Sequence, residues 1–469
     1  MSMSSHQRAH HTPFADLPDE LVVHIVSYFA SDLEPPERIA KLHQLCLLNR
    51  QFSRAARDFL YEKLHVPTDD VSTSLLLRTL RSNPELRLAV KEVEFPSSDM
   101  ESIQDYDPAE LSDIASSLGF LSPHLFASQC IKEHYVGPRE AMLALLLCLT
   151  PRVSTIVKVT ELDLANGAPP LTSLWIKPLL LVTQDEVIGA THMFSCLRNL
   201  HMHLTTAPLS YVSSILKLPS LRGLEYDAIR HRYFSPVDIL PARKWGCSEA
   251  SSNVQHLRFT GKIWSTIQDA SETIVSCKDL KSFTISPARY RQFSAIKLAL
   301  LRHSSSLESL QVNDLLRAQF SHRSSTDILG GFHEFRALRV LKCPLYFLRG
   351  SENFMSITHL DLSIILPVGL ELLVITICGS HHDEAWHCDL REFLHTLRET
   401  LPTSLPCLRH IRVLIRCWDH SATPLDFIAI REWFAEVNVQ FDWVLIFWDA
   451  GVTRDMQLMG THDGILLPL

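Results

Sequence analysis

Between Leu17 and Leu64 the apolar residues fall into three runs of helical period separated by polar or proline breaks. Leu21, Ile25 and Phe29 form the first, opened by Pro18 where a first helical turn needs no amide donor and by Asp19 and Glu20 against the positive helix start. After Pro35-Pro36, Ile39, Leu42 and Leu45 give a second stripe, and Phe52, Ala56 and Phe59 give a third. Three short amphipathic helices are predicted. The next segment reads as a helix over 72–81, a turn at Asn83-Pro84, and a strand ending in Val90, Val93 and Phe95.

From about residue 140 a different rhythm takes over: an apolar helix, a short polar or proline turn, then apolar residues at positions one, four and six of a short strand. The run 141–149 ends such a helix, and Val153 with Ile156, or Val159, Leu162 and Leu164 six residues later, begins the strand. Clearer copies are Leu197/Leu200/Met202, Leu221/Leu224/Tyr226, Val254/Leu257/Phe259, Leu280/Phe283/Ile285, Leu307/Leu310/Val312 and Leu338/Leu341/Cys343. Two further triplets, Ile357/Leu360/Leu362 and Leu370/Leu373/Ile375, lie too close for a full copy each, and Leu408/Ile411/Val413 is the last. The steps from Leu197 to Leu338 cover 141 residues, a mean of about 28, inside the range of leucine-rich repeats.

Position one is out of phase with four and six on a flat strand, so all three point inward only where the chain turns a corner into the strand. One unit leaves that face wet; stacked units bury it as a continuous core. The predicted fold is α/β: three N-terminal helices, then an irregular leucine-rich-repeat-like solenoid with parallel strands on one face and helices on the other. No asparagine ladder stands at the ninth position, so helices and varied loops are expected to close each coil. The segment 437–450 is an aromatic strand expected to form the closing edge or cap of the array, with Asp442 and Asp449 limiting its exposure. The predicted division is 1–12 as a polar tail, 13–64 as the helical domain, 65–436 as the repeat domain and 437–469 as a cap and tail. Between the apolar positions, polar side chains would line the open face. His201, Glu225, Arg258, Gln311, Asp361 and Arg412 are the candidates there for gripping a target protein.

Composition narrows the functional classes. With 46% hydrophobic and 20% charged residues the chain is an ordinary globular one, and a net charge of −8 offers nucleic acid and acidic membranes no general attraction. The eleven cysteines form no Cys-x-x-Cys pair, and no signal-peptide pattern or glycosylation sequon is present, so a reducing compartment, cytoplasm or nucleus, is expected. The longest apolar run is about half of what a membrane span needs. His/Cys-rich residues 378–388 offer metal ligands on paper, but His382 and His387 lie five apart, outside the spacing that puts two imidazoles on one helix face. Phosphate-cradling loops, HExxH and GxSxG are missing. No catalytic residue, metal or cofactor is expected; a metal-dependent enzyme at 378–388 is the least favoured reading.

Leu17-Pro18, Glu20-Leu21, Ile25, Tyr28-Phe29, Leu48-Asn49 and the run Phe52–Leu64 follow one another in an order that resembles the F-box. Together with phrases such as LLLCLTPRVSTI, LKLPSLRGLEY and LPCLRHIRVLI, the chain resembles the large family of F-box proteins with degenerate leucine-rich repeats found in mushroom-forming fungi. That resemblance implies a non-catalytic substrate-receptor subunit of an SCF-type ubiquitin ligase, docked through a Skp-family adaptor on a cullin scaffold. The implied adaptor contacts are Leu17, Pro18, Leu21, Ile25, Phe52 and Phe59, and the implied second partner is a target protein. An interaction scaffold outside any ligase is the alternative.

Overall fold

The computed structural model describes residues 17–31, 35–67, 69–95, 116, 138–158, 174–183, 194–203, 209, 213–228, 245–261, 267–286, 293–313, 331–349, 362–378, 385–417, 426–447 and 456–458. The chain is mixed α/β, with parallel strands and intervening helices. It divides into two units, Met1–Leu162 with Leu171–Arg198, and Asp163–Pro170 with Asn199–Leu469.

In the first unit, helices α1 (Asp19–Ser31), α2 (Pro35–Cys46) and α3 (Arg50–Glu62) share one core of Val22, Val26, Leu42, Phe52 and Ala56. The predicted stripe on α1 is displaced by one residue. Val22 and Val26, four apart, face inward, while Leu21 stands on the outside. Residues 20–26 are apolar on several faces, so the packing of α3 rather than hydrophobicity chooses the buried side. Ile39 is likewise exposed, and Leu42 carries the α2 contribution. Asn49 caps α3 by accepting a hydrogen bond from the Phe52 amide at 2.9 Å.

Strand β1 (Lys63–His65) follows α3 directly, then α4 (Asp70–Ser82), capped by Asp69 accepting from the Ser72 amide at 2.7 Å. A short helix α5 (Pro84–Ala89) occupies part of the predicted strand. Pro84 fits the first helical turn, and the strand proper, β2, begins at Glu92 and ends at Phe95. Helix α6 (Pro138–Leu149) leads into β3 (Thr155–Lys158), and β1, β2 and β3 pair in parallel in chain order. Val153 and Ile156 are the buried pair at this step; Leu162 and Leu164 lie outside the described residues. Arg38 of α2 donates to His65 Nε2 at 3.1 Å, and the Nδ1 of the same ring meets Glu94 at 2.9 Å, tying the helices to the strands.

In the second unit, β4 (Asn199–His203), β5 (Gly223–Ala228), β6 (His256–Gly261), β7 (Ser282–Ile285), β8 (Ser309–Val312), β9 (Val340–Pro344), β10 (Leu372–Cys378), β11 (His410–Cys417) and β12 (Gln440–Phe447) pair in parallel, each with the next. Residues one, four and six of the triplets starting at Leu221, Val254, Leu280, Leu307, Leu338, Leu370 and Leu408 are all buried. Tyr226 and Phe259, both at position six, and Phe283, at position four of the next triplet, meet edge to face in the core, 6.2 and 5.9 Å between successive ring centres. Of the two crowded triplets, Leu370/Leu373/Ile375 belongs to a strand, whereas Leu362 opens a short helix. The aromatic segment near 440 is not the closing edge: β13 (Met456–Leu458) pairs antiparallel to β12.

The corner that lets position one point inward is closed by main chain. The carbonyl at position two accepts the amides of positions two and three on the following strand: Arg222 from Gln255 and His256 (2.7 and 2.9 Å), Gln255 from Lys281 and Ser282, Lys281 from Glu308 and Ser309. Glu308, Arg339 and Glu371 repeat the pattern with Arg339/Val340, Glu371/Leu372 and Arg409/His410, and in the first unit Lys91 does so with Ser154 and Thr155. This seam does the work that an asparagine ladder would otherwise do.

His303 adds a side-chain stitch. It is 3% exposed, lies after helix α7 (Phe293–Leu301), accepts from the Leu280 amide at Nδ1 (3.4 Å) and reaches the Ile274 carbonyl through Nε2 (3.0 Å). Burial pulls its pKa below the ordinary histidine value of 6.5, partly opposed by the Ile274 bond.

Candidate functional site

Two surfaces carry the residues singled out in the sequence, one in each unit. On the helical surface the chain enters α1 through Leu17-Pro18. The Pro18 carbonyl accepts from the Leu21 and Val22 amides at 3.0 and 3.2 Å, starting the helix. Gln51 of α3 donates to the Leu17 carbonyl and to Asp19 Oδ1, both at 2.7 Å, and so clamps this entry against the first turn of α3. Pro18 stands exposed on that fixed backbone, and Leu21 keeps 49% of its surface in solvent.

The other four residues singled out on the helices differ in what they offer. Leu17, Ile25 and Phe59 are half-buried and pack on the shared core with part of their surface free. Phe52 is 3% exposed and lies inside that core, so its side chain holds the helices together and cannot touch a partner unless they separate. Four exposed apolar residues stood outside the expected contact set, although Tyr28 and Leu48 were part of the motif: Val23, Tyr28, and the pair Leu47-Leu48 in the turn between α2 and α3, 74% and 63% exposed. The signal was present, because Leu47-Leu48 is an apolar pair that neither flanking stripe requires.

On the strand surface, side chains at position five of successive strands stand side by side by register: His201, Glu225, Arg258, Thr284, Gln311, Lys342, Val374, Arg412 and Asp442. Glu225 lies between two basic side chains, His201 Nε2 at 3.7 Å and Arg258 Nε at 3.3 Å. At the other end Asp442 Oδ2 meets His410 Nε2 at 2.7 Å and Arg412 Nη2 at 3.3 Å. Asp442 is thus a partner of its neighbours rather than a guard on an edge. Gln311 is half-buried in the middle of the row, and Asp361 lies outside the described residues.

The face is not polar throughout, as the sequence reading expected. Val374, Leu414 and Val444 form a nearly buried apolar cluster with Leu372 on the same side as the charged row. Strand β10 carries Leu372 and Val374 on this face and Leu373 and Ile375 on the other, the apolar pattern of a strand covered on both sides, whereas β11 sets Leu414 between charged neighbours such as Arg412.

Among the described residues, no group of three or more His, Cys, Asp or Glu side chains is arranged to hold a metal ion. Residues 379–384 of the His/Cys-rich stretch lie outside the described residues, while Ala385–Ser404 form helix α8, containing the helix predicted around 389–400. No described helix is long and apolar enough to cross a membrane. No protein-family model matches the chain, and no curated protein matches it.

Proposed function

We propose that the chain is the substrate-receptor subunit of an SCF-type ubiquitin ligase, its N-terminal helices acting as an F-box that docks on a Skp-family adaptor and its strands acting as an irregular leucine-rich-repeat-like array that holds a target protein. The observation that carries this reading is the outside of α1. Leu21 and Pro18 are presented on a backbone clamped by Gln51, while Val22, Val26 and Phe52 already complete the core behind them. Apolar side chains held rigidly in water gain free energy when a partner covers them, and a central anchor of this kind contributes about 2 kcal/mol or more to binding.

The mechanism is proximity. A target gripped by the strand face is held near a ubiquitin-charged enzyme carried by the cullin, which raises the effective concentration of its lysines at the thioester. No residue of this chain has to react.

The test pairs an outer with an inner variant. Pro18→Ala combined with Leu21→Asp is expected to abolish co-purification with a Skp-family protein and to leave the melting temperature within a few degrees of wild type, as surface changes do. Phe52→Ala is expected to lose both, since truncating a buried Phe costs about 3–5 kcal/mol. Retained adaptor binding by the outer variant would refute the interface.

A further inference from the structure

We infer that the groove along the outer face of α3 is a docking site for an acidic peptide segment carrying an apolar side chain, presented by the partner on which the helices dock. This rests on the adaptor reading above and names the chemistry that the partner would bring.

The groove has a volume of about 430 Å³ and is lined by Leu47, Asn49, Arg50, Ser53, Arg54 and Arg57, among others. Arg50, Arg54 and Arg57 follow the helical spacing of zero, four and seven, which sets them on one face, away from Phe52, Ala56 and Phe59 on the inner side. All three arginines are exposed. Arg57 meets one carboxylate, Glu85, at 3.9 Å in a solvent-exposed pair of little strength, and neither Arg50 nor Arg54 meets a carboxylate among the described residues. In a chain of net charge −8, three adjacent cations so lightly compensated are a local reversal of sign.

Their spacing selects the occupant. Seven residues of helix span about 10 Å. That is longer than one phosphate, and it suits two or three carboxylates along a peptide. Asn49 and Ser53, the uncharged polar side chains of the lining, are only half-buried, so the groove holds no buried polar side chain to fix a small anion. The wall at one end is Leu47, 74% exposed, which a hydrated anion would leave bare and an apolar peptide side chain would cover. Arginine forks bind carboxylates in pairs of parallel hydrogen bonds, so the recognition is of charge and shape together.

The experiment uses the full chain and a fluorescein-labelled ten-residue peptide of glutamates with two leucines, with a ten-nucleotide oligo-dT as the competing class. Fluorescence anisotropy is read at 50 and 300 mM NaCl. The peptide is expected to bind at 50 mM salt, to weaken at least tenfold at 300 mM, and to lose at least tenfold in affinity with Arg50→Glu, Arg54→Glu and Arg57→Glu combined. Arg54→Glu alone replaces the triple variant should circular dichroism show the latter unfolded. Tighter binding of oligo-dT than of the peptide, or equal peptide binding by wild type and variant, overturns the inference. Capture of a purified Skp-family protein is scored separately. Should the peptide discriminate wild type from variant while no adaptor is captured, the groove stands and the ligase reading falls. Should the adaptor be captured while charge reversal alters neither binding event, the groove alone falls.

Discussion

His303 offers a measurement in which one side chain reports on the whole second unit. Its two ring nitrogens face unlike partners: Nδ1 receives the Leu280 amide and Nε2 faces the Ile274 carbonyl. Only the neutral ring, protonated at Nε2, satisfies both, because an imidazolium would turn Nδ1–H against the Leu280 N–H. Replacing His303 by Phe keeps most of the volume but removes both bonds. Ile274 still accepts from the Cys277 amide at 3.1 Å, so its carbonyl stays paired. The Leu280 amide loses this acceptor, and a buried donor left unsatisfied costs about 1–3 kcal/mol; the 3.4 Å separation puts the expected cost in the lower half of that range. The pH dependence follows from the lowered pKa. The unfolded chain takes up the proton first, near the ordinary value of 6.5, so the neutral ring's contribution is complete above that pH and is lost as pH falls from 6.5 toward the folded-state pKa. Asp279 opposes this shift and Arg302 reinforces it, both weakly beside burial. Urea unfolding followed by circular dichroism at pH 8 and pH 5.5 is the assay. His303→Phe is expected to be less stable than wild type at pH 8, with the gap narrowing at pH 5.5. A gap that stays constant between the two pH values, or none at pH 8, would refute the reasoning.

Three other outcomes are expected. Phe259→Ala removes a fully buried ring flanked by Tyr226 and Phe283 and should cost about 3–5 kcal/mol in the same urea assay; a loss below about 1 kcal/mol would show that this ring cluster is not a packed core. In the first unit, burial also lowers the pKa of His65, whose Nε2 must accept from Arg38, so wild type should lose more stability than His65→Gln as pH falls below 6.5, read by thermal unfolding; Glu94 and Glu92 oppose the shift while Arg38 and Lys63 reinforce it, and equal losses would remove His65 as the cause. Native alkylation at pH 8, mapped by peptide mass, should modify exposed Cys196 and Cys407 and spare Cys148 and Cys277, whose thiols burial pushes up to about 12, along with Cys343, whose thiol is pushed higher still; modification of the buried thiols at the same rate would contradict their burial.

Much of the strand array was legible because its signal is redundant. Each triplet states the same corner and the same buried face, so Leu221, Val254, Leu280 and Leu307 could be placed without knowing what lies between them. The helices were less so. On α1, Leu21, Val22 and Val23 are all apolar, and only the position of Phe52 and Ala56 on α3 decides that Val22 turns inward. Phe52 shows the converse difficulty: an aromatic residue at helical spacing reads the same whether it fills a core or meets a partner. Residues 84–89 fitted both periods, and Pro84 at a helix start decided for α5. The His410–Asp442–Arg412 cluster was hidden because Asp442 lies 32 and 30 residues along the chain from His410 and Arg412 and meets them only through strand register.

The carbonyl seam has one more implication. A joint made from main chain asks nothing of the side chain at that position, and Lys91, Arg222, Gln255, Lys281, Glu308, Arg339 and Glu371 occupy it with charges of both signs and one amide. The excursion between two seams is therefore free to lengthen, shorten or change composition without loosening the joint. Coils of unequal size can then be added or removed as whole modules, and the breadth of the face they present becomes a quantity that can evolve independently of how each coil is held to its neighbour.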